Sequence, residues 1–372
     1  MKRVGVSTIW SDNYGAVLQG FALQQVVKAL GYETEIIRHY RNPQNVATEG
    51  VVGKLRNISI EALIEYILHY KRKRMWHQGF ADFKSQRMQI SNEAFYRDSD
   101  FSSLNKSYDA FICGSDMLWS TDFEEDWYFF YLGFAEAKKT ISYAPSFGKN
   151  EMSENQIAKV KPLIDRISHL SCREEAGVDF IKDKFNLSAK HVVDPTLLLT
   201  ANQWNELLGD RPRLINDKYF LTYTFQGCQH GGREKIYKQL EKFEDRSLYF
   251  ISGQEGKYTN SIYKGYFSPI EYVLLFRDAD FIITDTFHGL IFSLIFNKPF
   301  IVLDKSFIGV SSDRQISTLK TYGFENRFVG SDVVIDNNLL NIDYTKANAI
   351  MTQKRTESLE FLKSALNDVC GE

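Results

Sequence analysis

Phe281-Ile282-Ile283-Thr284-Asp285-Thr286-Phe287-His288-Gly289 is the stretch on which the reading of this chain turns. Its first three residues are apolar and, with Thr284, read as a short buried strand. Leu290 to Phe296 read as a buried helix stopped by Asn297-Lys298-Pro299, and Phe300 to Asp304 as the next strand. Asp285 to Gly289 therefore lie on the strand-to-helix turn of a βαβ unit. In open α/β sheets, ligands bind at the carboxyl ends of the strands. A helix starting there offers unpaired N–H groups and a positive dipole end, which suits an anion. An aspartate, a hydroxyl, a histidine and a glycine at such a turn are the ingredients of a site. They equally describe a capped turn with an ordinary polar histidine, and the local pattern does not separate the two.

The same grammar repeats upstream. Val4 to Ile9 read as a strand, Ser11 to Gly15 as a turn, Ala16 to Leu30 as a helix closed by Gly31, and Glu33 to Ile37 as a second strand. This is a doubly wound opening without the GxGxxG of a dinucleotide site. Ile58–Tyr70 and Phe80–Gln89 read as two separate helices, with Lys71-Arg72-Lys73-Arg74 and Met75-Trp76 between them. Further strands end in small and polar residues. Tyr108–Cys113 ends at Gly114-Ser115-Asp116, Thr140–Ala144 at Pro145-Ser146, Ile167–Cys172 at Arg173-Glu174, and His191–Val193 at Asp194-Pro195-Thr196. Composition turns polar around Thr200–Arg213, and a new strand begins near Lys218. The expected fold is α/β, with two Rossmann-like lobes facing a cleft. Residues 1–204 form the N-terminal lobe and residues 205–372 the C-terminal lobe, whose last helix, about Thr345 to Asp368, packs back across both.

Composition bounds the function. The 372 residues are 44% hydrophobic and 25% charged, a globular profile with material for a sizeable core. A net charge of −2 gives no electrostatic case for nucleic acid. Cys113, Cys172, Cys228 and Cys370 are scattered with no CxxC pair, so reduced thiols in a cytoplasmic protein are expected, with neither zinc nor a redox dithiol. The start of the chain reads as a strand rather than a signal peptide, and no apolar run is long enough to span a bilayer. The basic run at 71–74 beside Trp76 fits a peripheral contact with an anionic membrane, or a solvated helix end.

Five polar clusters recur at strand ends: Asp12-Asn13-Tyr14-Gly15, Gly114-Ser115-Asp116, Ser146, Arg173-Glu174, and Asp285 with His288. One alone means little, because turns favour such residues. Five in two lobes point to an interlobe cleft. No GxSxG elbow, paired-histidine metal motif or GxxxxGK[ST] loop is present.

In this order the motifs resemble those of the polysaccharide pyruvyl transferase family. Asn13 to Gln19 look like its N-terminal signature, Gly114 to Trp119 like its GSDxxW segment, and Ile141 to Gly148 like its SYAxSFG strand. Ser171 to Glu174 match SxRE, Asp194-Pro195-Thr196 match DPT, and Asp285 to Gly289 match D-[ST]-F-H-G. The resemblance implies a fold similar to GT-B glycosyltransferases. It also implies transfer of pyruvate from phosphoenolpyruvate to two sugar hydroxyls, forming a cyclic ketal. It carries over Arg173 and His288 as donor-site residues, and Arg314 as a further family arginine in a loop. Some members have an arginine where this chain has Thr286. That contact is absent here or supplied elsewhere, with Arg314 the candidate.

The expected site then has His288 as the proton-transfer residue and Asp285 holding its orientation or capping the helix. Arg173, Thr286, Gly289 and Arg314 surround the donor. Asn13, Tyr14, Gly15, Ser115, Asp116, Ser146 and Glu174 complete the cleft, with Asp116 and Glu174 as further candidates for the base. The chemistry asks for no metal or organic cofactor. The acceptor is a sugar, an oligosaccharide or a lipid-linked saccharide, recognised by residues 41–100. Two rivals remain: a GT-B-like glycosyltransferase using a nucleotide sugar, and a non-catalytic carbohydrate-binding protein of the same fold.

Overall fold

The computed structural model describes residues 1–40, 60–225, 233–251, 261–265 and 267–371. Residues 41–59, assigned above to acceptor recognition, and Cys228 lie outside the described residues. The first sheet is built from β1 (Arg3–Ser7), β2 (Glu33–Tyr40), β3 (Ile90–Tyr96), β4 (Ala110–Cys113) and β5 (Thr140–Ser142). Its order is β3-β2-β1-β4-β5, parallel throughout. β6 (Ser171–Cys172) and β7 (Lys190–His191) form a small parallel pair beside it.

The second sheet contains β8 (Tyr219–Tyr223), β9 (Ser247–Ile251), β10 (Ser261–Gly265), β11 (Phe281–Thr284), β12 (Phe300–Leu303) and β13 (Phe328–Val329). Its order is β10-β9-β8-β11-β12-β13, again all parallel. Central strands such as β4, β11 and β12 are buried at every position, which is why they are continuous apolar runs. In each lobe the strand order reverses once, between β1 and β4 and between β8 and β11, leaving a crevice at the strand carboxyl ends. The chain is therefore α/β with two Rossmann-like lobes.

An apolar cluster joins the lobes, running from Val6, Leu18 and Phe21 to Tyr272, Leu290 and Phe292. Tyr14 pins them together. Its ring stacks on Tyr272 at 4.4 Å, its hydroxyl donates to the Phe267 carbonyl at 2.6 Å, and it accepts from Trp76 Nε1 at 3.0 Å. Tyr14 thus belongs to the lobe contact and not to the cavity lining. The helix Thr345–Cys370 returns to the first lobe. There Ser358 Oγ accepts from Val193 N at 3.0 Å and Arg355 Nε donates to the Leu197 carbonyl at 2.7 Å.

Several local expectations change. The two helices expected around the basic run are one, Ile60–Arg87. No proline interrupts it, and a lone interior glycine costs only ~1 kcal/mol. Gly79 has a packing reason: a Cβ there would come within 2.8 Å of Ser268 Cβ, so the glycine lets this helix approach the second lobe. The strand expected over Ile167–Cys172 is reduced to β6, with an isolated bridge at His169, and that over His191–Val193 to β7. β3 was not expected, because exposed Asn92 and Glu93 break its apolar pattern. Arg314 lies on the helix Asp313–Tyr322 and not in a loop.

Candidate active site

A cavity of about 620 Å³ opens between the lobes at both points of strand-order reversal. Its lining comes from the segment after β1 (Thr8 to Asn13, Gly15 and Ala16), from Asp116 after β4, from Tyr223 and Phe225 at the end of β8, and from Thr286, Phe287 and His288 after β11. Arg314 enters from its helix.

His288 sits in the first turn of the buried helix Phe287–Ile295. The cap of that helix is Thr286 and not Asp285: Thr286 Oγ1 accepts from Gly289 N at 3.0 Å and lies 3.0 Å from Thr284 Oγ1. Thr286 lines the cavity, but its hydroxyl is committed to the turn, and so is the Gly289 N–H expected to meet the donor. A Cβ on Gly289 would lie 2.2 Å from Thr284 Oγ1, so only glycine fits under this turn. The Phe287 and His288 N–H groups, at the first positions of the helix, have no intrahelical acceptor.

The imidazole lies against the other lobe. A Cβ on Gly15 would fall 2.1 Å from His288 Nδ1, so the ring rests on the backbone of the opposing helix, Tyr14–Ala29. Its Nε2 is 3.6 Å from Asp194 Oδ2, longer than a hydrogen bond. The carboxylate beside His288 is therefore Asp194 of the DPT segment. Asp194 caps the short helix Pro195–Leu198, where its Oδ1 accepts from Thr196 N at 3.0 Å and Thr196 Oγ1 at 2.7 Å. Its Oδ2 accepts from Arg173 NH1 at 3.1 Å and lies 3.4 Å from Ser115 Oγ. Burial opposes ionisation of Asp194, yet His288, Arg173 and Thr196 together hold it below the ordinary carboxylate range.

Asp285, expected to orient His288, is turned away from it. Its Oδ2 accepts from Arg233 NH2 at 2.8 Å and its Oδ1 from Phe225 N at 2.7 Å, while its carbonyl accepts from Gln315 Nε2 at 2.8 Å. It is fully buried and absent from the cavity lining. Burial pushes its pKa up, against the pull of Arg233. Adjacency in sequence favoured Asp285; alternation of side-chain direction at the strand end sends it to the far side of the turn.

The cations have distinct settings. Arg173 donates through Nε to Glu174 Oε1 at 2.9 Å and through NH1 to Asp194, while its buried NH2 has no hydrogen-bond partner among the described residues. Its guanidinium lies 4.3 Å from the centre of the Phe287 ring, and that of Arg314 lies 5.8 Å from the same ring. Arg314 lines the cavity and makes no ion pair among the described residues. Burial, then the nearby Arg173, lower its pKa. Arg173 is offset by Glu174 and Asp194 and faces the smaller neighbouring cavity, so Arg314 is the guanidinium that brings its charge to the His288 side of the main cavity, near the start of the buried helix.

Asn13 caps its helix, with Oδ1 accepting from Ala16 N at 3.2 Å, and lines the cavity. Asp116 also lines it, its Oδ1 accepting from Met117 N at 2.9 Å. Ser115 and Ser146 are buried supports: Ser115 Oγ donates to the Ala144 carbonyl at 2.6 Å, and Ser146 Oγ accepts from Gly148 N at 3.0 Å. Glu174 holds Arg173 and faces a smaller neighbouring cavity. Sequence reasoning missed the roles of Asp194, Arg233 and Lys305. Lys305, just after β12, is 1% exposed, with its Nζ 5.3 Å from the Phe225 ring centre and without a hydrogen-bond partner among the described residues. Burial, with Arg314 adding to it, pushes its pKa down to about 8. Also missed was the aromatic wall of the first lobe: Trp10, His39 and Tyr40.

Two parallel-stranded lobes closing on a cleft define the GT-B-like class of folds. The UDP-GlcNAc 2-epimerase of Methanocaldococcus jannaschii, in complex with UDP-GlcNAc and UDP, superposes with a TM-score of 0.50 at 12% identity, covering 95% of this chain and 94% of that one. The glycosyltransferase SnogD from Streptomyces nogalater gives 0.49 at 12% identity, over 99% of this chain and 98% of its own. At such identities the likeness is one of fold alone. No curated protein matches the chain in sequence. Residues 13–306 match the family model of polysaccharide pyruvyl transferases, and the chain belongs to that family. No helix among the described residues is long and apolar enough to cross a membrane.

Proposed function

We propose that the protein transfers the pyruvyl group of phosphoenolpyruvate to two hydroxyls of a saccharide, forming a cyclic ketal and releasing inorganic phosphate. The observation that carries this reading is the setting of His288: pinned between Gly15 and Asp194 in a cavity, with Arg173 and Arg314 flanking Phe287. A donor with a carboxylate and a phosphate needs such cations, and guanidiniums bind both groups in bidentate fashion.

In the proposed sequence a proton is added to the donor methylene carbon, and cationic character develops on the neighbouring carbon. One hydroxyl attacks that carbon and loses its proton. The carbon–oxygen bond to phosphate then breaks, and the second hydroxyl closes the ring as its proton is lost. One of the two released protons balances the methyl group and the other the phosphate. His288 is the proton-transfer residue, and Asp194, from the opposite lobe, is its positioning carboxylate. Arg314 and the free NH2 of Arg173 hold the donor anion. Of the two carboxylates lining the cavity, Asp12 is paired with Lys84 and His77, and Asp116 serves a second proton transfer. No metal or organic cofactor enters these steps.

The first lobe is the acceptor side and the second the donor side. The protein works in the cytoplasm, in the assembly of capsular, exo- or cell-wall polysaccharide. The exposed residues Tyr70 to Met75, with four consecutive basic side chains, suit a peripheral contact with an anionic membrane carrying a lipid-linked acceptor. The test is incubation with phosphoenolpyruvate and galactose-, glucose- and mannose-type acceptors. The expected result is acceptor-dependent phosphate release with an acceptor mass gain of one pyruvate less one water. Sugar-nucleotide consumption without phosphoenolpyruvate turnover would instead support a glycosyltransferase.

A further inference from the structure

Trp10, His39 and Tyr40 give the first lobe's part of the cavity lining an aromatic character, and the aromatic row continues past the cavity. Trp10 follows β1, Tyr40 ends β2 and Tyr96 ends β3. These strands are neighbours in the order β3-β2-β1, so the three rings stand side by side along the carboxyl edge of the sheet. Tyr40 and Tyr96 are register partners. Trp10 and Tyr40 meet edge to face at 5.3 Å, and Tyr40 and Tyr96 stack at 5.7 Å. Trp10 and Tyr40 line the cavity, whereas Tyr96 lies beyond it on the edge strand. The two tyrosines are 39% and 40% exposed.

Packing between the rings covers part of their faces, Tyr40 against Tyr96 and Trp10 against Tyr40, and leaves the remaining apolar surface of the two tyrosines in water at the mouth of a cleft. Polar groups flank the row. Lys84 Nζ lies 5.1 Å from the Trp10 ring centre and donates to Asp12 Oδ1 at 2.5 Å. The combination matches a pyranose ring, which has an apolar C–H face for the negative face of an aromatic ring and a rim of hydroxyls for a lysine and an aspartate. The row is also longer than one ring.

We propose that Trp10, Tyr40 and Tyr96 form a stacking platform that binds a saccharide of several sugar units, with its terminal ring at His288 and the next units leading out over Tyr40 and Tyr96. The inference rests on the acceptor being a saccharide, and it commits that acceptor to an oligomer. Lys84 and Asp12 hold the hydroxyls of the unit over Trp10.

The test is binding to the intact protein, by saturation-transfer NMR and calorimetry, of methyl glycosides and linear tetrasaccharides of galactose, glucose and mannose. At least one tetrasaccharide is expected to bind more tightly than its methyl glycoside. Tyr40→Ala and Tyr96→Ala should each weaken that tetrasaccharide about 2–10-fold, the worth of one aromatic stacking contact. Tyr128→Ala removes a more exposed ring off the row and should change nothing. A wild type that binds no tetrasaccharide better than its methyl glycoside overturns the proposal, as do Tyr40→Ala and Tyr96→Ala variants with wild-type affinity. Because binding needs no turnover, tetrasaccharide binding without phosphate release from phosphoenolpyruvate would sink the transferase reading and leave the platform standing. Phosphate release with no preference for length would do the reverse.

Discussion

Asp194 and Asp285 make an instructive pair. Both are buried carboxylates at strand ends, both face an arginine, and both belong to short motifs of the same chain. Asp285 is three residues from His288, and Asp194 is in the other lobe. Yet Asp194 stands 3.6 Å from the imidazole, while Asp285 ties Arg233 to the Phe225 loop. Their electrostatics diverge too. The ionised form of Asp194 is favoured despite burial, and that of Asp285 is disfavoured because of it. One carboxylate lies beside a group that can gain charge; the other locks a turn. Because the proposed pairing of His288 with Asp194 spans the lobes, it depends on how the lobes dock on each other.

The largest expected effect comes from His288, which Asp285 was expected to orient and beside which Asp194 stands. His288→Ala should lower kcat for phosphate release by ~10²–10⁴-fold, the usual worth of a positioned proton-transfer group, without a matching rise in KM for phosphoenolpyruvate. Equal losses from His288→Ala and from a surface control would remove His288 from the chemistry. Arg314→Met should act on binding instead. Losing a charge-assisted contact of about 1.5–3 kcal/mol raises the donor KM about 10–150-fold. Unchanged phosphoenolpyruvate binding by calorimetry would exclude Arg314 from the donor pocket.

Stability against pH separates the two carboxylates without an assay. Asn at either position breaks a buried pair and should cost about 3–5 kcal/mol. Asp194 has a lowered folded pKa, so its contribution is full above the unfolded value of about 4 and is lost only below it. The gap between wild type and Asp194→Asn should therefore stay constant from pH 7 to about 4. Asp285 has a raised folded pKa, so wild type carries an ionisation penalty that fades as pH falls through that pKa. Its gap to Asp285→Asn should widen over the same range. Thermal unfolding across that range reads both, and identical profiles would contradict the assignment.

The smallest effect is expected at Lys305. With a folded pKa of about 8, its unfolded form binds more protons between about pH 8 and 10.5, so stability rises with pH in that window. Lys305→Met should be more stable than wild type at pH 7, the difference fading towards pH 10. A destabilised Lys305→Met would mean that the ammonium is paired.

The parts of the molecule legible in sequence were those set by local rules. β4, β11 and β12 are apolar runs between polar turns, and the turn at Asp285–Gly289 needs glycine because a Cβ would strike Thr284. β3 was hidden because it is an edge strand with exposed polar residues, and the helix Ile60–Arg87 was divided at a basic run that stays helical. The site was legible as a list of strand ends but not as a set of contacts. Which carboxylate meets His288, and which glycine makes room for it, depends on how two lobes dock. The cap role of Thr286 follows a local rule, and there the neighbouring aspartate was the misleading choice. The aromatic row at Trp10, Tyr40 and Tyr96 emerges only from sheet order, since its members are far apart in the chain.

The most direct measurement is kcat for acceptor-dependent phosphate release from phosphoenolpyruvate by Asp194→Asn and Asp285→Asn, each scaled to its folded fraction. Asp194→Asn should lose at least about tenfold in kcat, with a changed pH–rate profile, while folded Asp285→Asn should stay within a few-fold of wild type. A folded Asp194→Asn with wild-type kcat, beside an Asp285→Asn that has lost it, would contradict the interlobe pairing.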